Sequence, residues 1–214
     1  MTAEERSRLE LLDQIVRSNE GKVQTVVDRV RAELARNTEA VMAWEPIPLE
    51  TFGRGLPQGI RSGWIFILRA GADTGPERHP NSHQRMMTLE GSGDMRTESE
   101  KEEVRIKNEK KGIEWQSTFL ISDPDAPLER RWISIPPNTW HRPVVGKDAH
   151  WVVVSFHTVP AEELIEEKLD EAAGEMKRKK YLEKEEVKGK VKKLKALQHM
   201  RVDRMGRRQR SQGS

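Results

Sequence analysis

The stretch on which this chain turns is Gly71-Ala-Asp-Thr-Gly-Pro-Glu77-Arg-His79-Pro-Asn-Ser-His83-Gln84-Arg-Met-Met-Thr-Leu-Glu-Gly91. Between two bounding glycines it sets a carboxylate at 77, imidazoles at 79 and 83 and an amide at 84. Just beyond, Gly91-Ser92-Gly93 separates Met86–Leu89 from Met95–Thr97, which predicts a tight turn joining two antiparallel strands. A shorter echo follows at Ile135-Pro136-Pro137-Asn138-Thr139-Trp140-His141. Asn138 there suits a left-handed position, which asparagine tolerates better than most residues.

Together these segments resemble the two motifs of the cupins, G-x5-H-x-H-x3,4-E-x6-G and G-x5-P-x-G-x2-H-x3-N. Gly71, His79 and Gly91 match the first motif, with Glu77 at its first histidine and Gln84 at its glutamate. Pro136 and His141 match the second, with Arg130 and Asn138 at its glycines and Val145 at its asparagine. The resemblance implies a mainly β fold, a double-stranded β-helix or cupin jelly-roll barrel, flanked here by N-terminal and C-terminal α-helices.

It also implies a divalent transition metal (Fe, Mn, Ni or Zn) in the barrel mouth, held by His79, His141 and Glu77 with Gln84 as a neutral fourth ligand. The function expected from it is a small-molecule-binding cupin, a metal-dependent oxygenase or isomerase in which Glu77 serves as ligand or general base. The alternative is a non-catalytic, metal-free sensor or scaffold, whose four polar side chains satisfy one another by hydrogen bonding. His83 and His157 are further pocket candidates. His83 can take the place of Gln84, and His157 shares a face with His141 if the chain folds back through Gly146–Ala149.

Composition sets the bounds. Only 35% of 214 residues are hydrophobic and 34% are charged, so the apolar residues must be concentrated in one part of the chain. No cysteine is present, which excludes disulfides and thiolate metal sites and fits a reducing, cytoplasmic setting. No stretch approaches the length of a membrane span. The net charge of +3 divides unevenly: fifteen Lys and Arg against five Asp and Glu from Gly174 onward leave an acidic body and a basic tail. Nucleic acid or an acidic surface is therefore a partner expected of the tail alone, without base stacking.

In chain order, 1–40 reads as an amphipathic helical extension with stripes at Leu9, Leu12, Ile15, Val16 and at Val23, Val26, Val27, Val30, Leu34, broken near Ser18–Gly21. Such stripes pack on the barrel or on a second subunit, and a homodimer is expected. Trp44–Leu49 reads as an irregular linker whose two prolines keep it out of a central strand. The barrel spans 45–158, with strands at 63–68, 86–89, 115–121, 131–135 and 151–157 and a charged interruption at 98–112. Trp64, Trp132, Trp140 and Trp151 are core or pocket lining. Pro160–Glu163 opens a charged C-terminal helix over 160–205, and 206–214 is a disordered basic tail.

Overall fold

The computed structural model describes residues 1–99, 113–171 and 173–180. Helices α1 (Ala3–Ser18) and α2 (Glu20–Arg36) come first. Thr2 caps α1 by accepting a hydrogen bond from the Glu5 N–H at 3.2 Å. The break falls at Asn19, whose side-chain amide donates to the Ile15 and Phe52 carbonyls and so ties the corner to the barrel.

Eleven strands follow among the described residues: β1 (Met42–Pro46), β2 (Ser62–Leu68), β3 (Glu77–Arg78), β4 (Gln84–Glu90), β5 (Ser92–Glu98), β6 (Trp115–Ile121), β7 (Trp132–Ile135), β8 (His141–Val144), β9 (Trp151–His157), β10 (Ile165–Asp170) and β11 (Glu175–Lys180). A short helix α3 (Leu128–Arg131) precedes β7. They form two antiparallel sheets, one in the order β1-β2-β9-β4-β7 and the other β11-β10-β3-β8-β5-β6, which make the jelly roll.

Alternation along each strand sorts residues between two cores. Trp151 and Val153 of β9 join Met86, Met95, Leu120, Ile133 and Ile135 between the sheets. Val152, Val154 and Phe156 face outward and join Leu9, Leu12, Val16, Val26, Val27, Val30 and Leu34 of the helices. Both faces of β9 are thus covered, which is why it reads as a continuous apolar run. The helical stripes are buried against their own barrel, so they do not call for a second copy. Polar clamps fix the docking: Glu5 accepts from Arg85 and Ser134, and Asp13 accepts from Arg131 and the Trp132 indole.

Four sequence expectations need correction. Trp44–Leu49 is not all linker: Met42–Pro46 is an edge strand, where proline costs no ladder bond. Gly91 does not close a hairpin. It passes the chain from β4 in one sheet to β5 in the other, at φ 72° and so close to β9 that a Cβ would lie 2.2 Å from the His150 carbonyl oxygen. Likewise β8 and β9 do not pair through Gly146–Ala149 but lie in opposite sheets.

The fourth correction concerns the C-terminal helix over 160–205. Residues 161–163 make one 3-10 turn, and 165–170 pairs with 175–180 as the β10–β11 hairpin. Gly174, at φ 68°, turns it by donating to the Asp170 carbonyl at 2.7 Å. Ile165 and Leu169 lie in the strand β10, and Leu164 is buried against Trp64. The rest of that expected helix, the basic tail and most of the charged interruption lie outside the described residues. Among the described residues no helix is long and apolar enough to cross a membrane.

Candidate metal centre

The site is built where the second sheet's β3, β8 and β10 face the polar ends of β4 and β9. Glu77 and His79 are two residues apart at β3, so strand periodicity sends both side chains to one side and Arg78 to the other. Arg78 accordingly pairs with Glu167 at 2.7 Å and lies 4.5 Å from the Trp140 ring centroid. His141 opens β8 directly opposite Glu77 in the ladder. The positive φ of Asn138, 67°, bends the chain just before it, as its place in the second motif led us to expect.

One ligand atom from each of Glu77, His79 and His141 lies within 4.8 Å of the others. Both imidazoles are oriented by backbone. His79 Nδ1 donates to the Ile165 carbonyl at 3.0 Å and His141 Nδ1 to the Thr139 carbonyl at 3.1 Å, a tautomer in which the neutral ring carries its lone pair on Nε2. His141 Nε2 is 3.6 Å from Glu77 Oε1, too far for a hydrogen bond, and is buried without a hydrogen-bond partner among the described residues. A buried acceptor of this kind is costly unless something binds it.

Protonation states suit a ligand set. Burial, with His141 adding to it, pushes the His79 pKa down to about 4, so the ring is neutral at pH 7. Burial alone would raise Glu77, but His141, Lys168 and His79 together bring its carboxyl down to about 2. The His79 and His141 imidazoles and the Glu77 carboxylate form a donor set of the kind suited to a divalent transition metal.

Gln84 and His157 sit beside this set and are paired across β4 and β9. Their hydrogen bonds run in one direction. The Gln84 amide donates to Ser155 Oγ at 3.1 Å, and Ser155 Oγ donates to His157 Nε2 at 3.2 Å. His157 Nδ1 donates to Ser82 Oγ at 3.1 Å, and Ser82 Oγ donates to the His83 carbonyl at 3.3 Å. Both nitrogens of His157 are thereby engaged, and its ring meets His79 edge-on at 5.1 Å between centroids. The relay also settles the Gln84 amide, whose Oε1 is left as a second buried acceptor without a hydrogen-bond partner among the described residues.

The structure does not bring His83 into the group. It precedes Gln84, faces the other way, and its Nε2 meets Ser134 Oγ at 2.7 Å beneath α1. Arg85 and Arg142 also point away, to Glu5 and to Asp73 with Glu171. Of the tryptophans, Trp64, Trp132 and Trp151 are fully buried core, and Trp140 stacks under Arg78.

Sequence reasoning missed Glu166 and Lys168 on β10. Lys168 stands opposite Glu77 in the ladder, with its Nζ 3.2 Å from Glu77 Oε2 and 3.9 Å from Glu166 Oε1. Burial disfavours the Lys168 ammonium, but Glu77 and Glu166 outweigh it and raise its pKa. The only signal was a two-residue alternation, Glu166 and Lys168 against Glu167 and Leu169, which a helical reading of the segment hides.

No family model matches the sequence, and no curated protein matches it. Among solved structures, oxalate oxidase in complex with the substrate analogue glycolate is 18% identical, over 56% of this chain and 52% of that one, at a TM-score of 0.38. An oxalate decarboxylase from Lactobacillus farciminis in a formate complex is 12% identical over 56% and 29%, at 0.39. KdgF from Halomonas sp. is 12% identical over 57% and 84%, at 0.37. The alignment thus spans about half of the oxalate oxidase and under a third of the decarboxylase.

Two facing antiparallel sheets, with both motif segments converging on one mouth, form the jelly roll that the cupin-like motifs led us to expect. Set against those motifs the donor set is altered, with Glu77 and Gln84 at positions where the pattern has histidine and glutamate.

Proposed function

We propose that the chain is a metal-dependent cupin that acts on a small molecule at this mouth, as an oxygenase or isomerase. The observation that carries the reading is the buried Nε2 of His141, which lies 3.6 Å from Glu77 Oε1 and has no hydrogen-bond partner among the described residues. His79 and His141 would hold the metal through Nε2, and Glu77 through its carboxylate. A bound divalent ion of iron, manganese, nickel or zinc would supply Lewis acidity and open coordination positions. The chain's own residues do the rest. The Ile165 and Thr139 carbonyls keep both rings in the ligating tautomer, and the relay through Ser155 presents Gln84 Oε1 as an acceptor for a substrate N–H or O–H.

A second reading, a metal-free ligand sensor or scaffold, is favoured by two observations. Lys168 already neutralises Glu77, and the carboxylate usual at position 84 is an amide.

Metal analysis of untagged protein, purified without chelator, separates the two. The proposal expects close to one transition metal per chain, lost in His79→Ala and in His141→Ala, weakened by Glu77→Gln and tightened by Gln84→Glu. Protein that stays empty after Gln84→Glu, under excess iron, manganese, nickel or zinc, refutes it and leaves the binding module.

A further inference from the structure

The β10 strand delivers a cation to this centre, and its aim is specific. The two oxygens of Glu77 face different partners: Oε1 lies 3.6 Å from His141 Nε2, and Oε2 lies 3.2 Å from Lys168 Nζ. Lys168 cannot drift far from this position. Its backbone is laddered to Glu77 on one side and to Lys177 on the other, and its stem is partly buried. Glu166, two residues earlier, has a side chain 1% exposed and stands 3.9 Å from the same ammonium. The opposite face of β10 plays no part, because Glu167 is taken by Arg78.

We propose that Lys168 is a resident cation that shares Glu77 with the metal and sets how tightly the Glu77–His79–His141 centre binds it. This rests on the reading of that centre as a metal site. Two physical effects act in the same direction. An ammonium on Glu77 Oε2 draws electron density and negative potential away from the Oε1 that faces His141. It also places a positive charge within a few ångströms of wherever a dication would sit, where screening by water is incomplete. Without metal, the same ammonium keeps the buried carboxylate of Glu77 compensated, so the empty centre costs the fold little. Lys168 thus holds the centre stable when empty and weakens its grip when filled, which makes metal occupancy responsive to supply.

The test is calorimetric titration of the full chain, first stripped of metal, with manganese(II) chloride and then with nickel(II) chloride. It compares wild type, Lys168→Met and Lys168→Arg, with circular dichroism confirming the fold and Lys168→Gln replacing the methionine variant should that not fold. Removing the charge is expected to tighten binding by about tenfold or more. Arginine, which keeps the charge, should stay within about threefold of wild type. The thermal midpoint of the metal-free protein should fall in Lys168→Met, because Glu77 is left unpaired.

Binding by Lys168→Met with none by wild type also supports the proposal, since the ammonium then excludes the ion outright. Equal affinity in wild type and Lys168→Met overturns it while the metal reading stands. Weaker binding in Lys168→Met overturns it too, and makes Lys168 a group that merely orients Glu77. If neither protein binds either ion, the inference and the metal reading fall together.

Discussion

Glu5 offers the sharpest test of how the helical extension is held. It sits in the first turn of α1, its side chain is 15% exposed, and its carboxylate accepts from Arg85 Nε at 2.6 Å, Arg85 Nη2 at 2.9 Å and Ser134 Oγ at 2.6 Å. The Arg85 side chain is only 3% exposed, so Glu5→Gln leaves a buried guanidinium uncompensated. Breaking a buried pair from one side costs about 3–5 kcal/mol, and the partial exposure of Glu5 trims this to roughly 2–4. With a urea slope of about 1–3 kcal/mol/M, the unfolding midpoint should drop by about 1 M or more.

The same contact has a pH signature. Burial would raise the Glu5 carboxyl, but hydrogen bonds from Arg85 and Ser134, with the Arg85 charge, bring it below its ordinary value. A depressed carboxylate contributes stability that is present above its unfolded pKa and is lost as pH falls through the folded one. The acid limb of the wild-type stability curve should therefore flatten in Glu5→Gln, most visibly below about pH 4. A double variant Glu5→Leu, Arg85→Met should recover most of the loss, because no charge is then stranded. Midpoints within about 0.3 M of wild type, or acid limbs that superimpose, would refute the clamp.

Two further outcomes follow from the barrel itself. Gly93→Ala would set its Cβ 2.1 Å from Trp151 Cε3, a fully buried indole whose N–H is already bonded to Thr88 Oγ1, so there is no room to yield. We expect a loss of about 3 kcal/mol or more by urea unfolding, and a loss below about 1 kcal/mol would mean the β5–β9 approach is looser than described. Ser155→Ala removes both the acceptor of the Gln84 amide and the donor to His157 Nε2. A cost of about 1–3 kcal/mol is expected, together with a changed environment of the His157 ring by NMR, and an unchanged ring resonance would break the relay.

The fold was legible because its two decisive signals are local. Glycine spacing around 71–91 survives in any reading, and β9 announces itself by composition, since a strand covered on both faces carries apolar residues on both, as its run from Trp151 to Val154 does. Connectivity was not legible in the same way. Gly91 and Gly93 look like a hairpin because a turn is a local event, whereas the reason the chain crosses between sheets there is distant: the His150 carbonyl and the Trp151 indole come too close for any side chain. The β10–β11 hairpin failed for a related reason. Its ladder to β3 is a tertiary contact about ninety residues back along the chain, and no window of sequence contains both partners.

The candidate site follows the same division, and the inner face of the first sheet shows why it sits at this end. Along β9 the inward residues run Trp151, Val153, Ser155, His157, and along β4, read backwards, Thr88, Met86, Gln84. Only the first ends of these runs pack against apolar neighbours from the second sheet; the last meet Ser82, His79 and the Gln84 amide. Polar groups can be buried there because each finds a partner in sequence-distant backbone or hydroxyl, and the acceptors that do not, Gln84 Oε1 and His141 Nε2, fall in the same quarter of the barrel. The outer face of the same strands is anchored to α1 and α2 by apolar contact and by Glu5 and Asp13. The helices therefore back the sheet that carries Gln84 and His157 from the face turned away from the site.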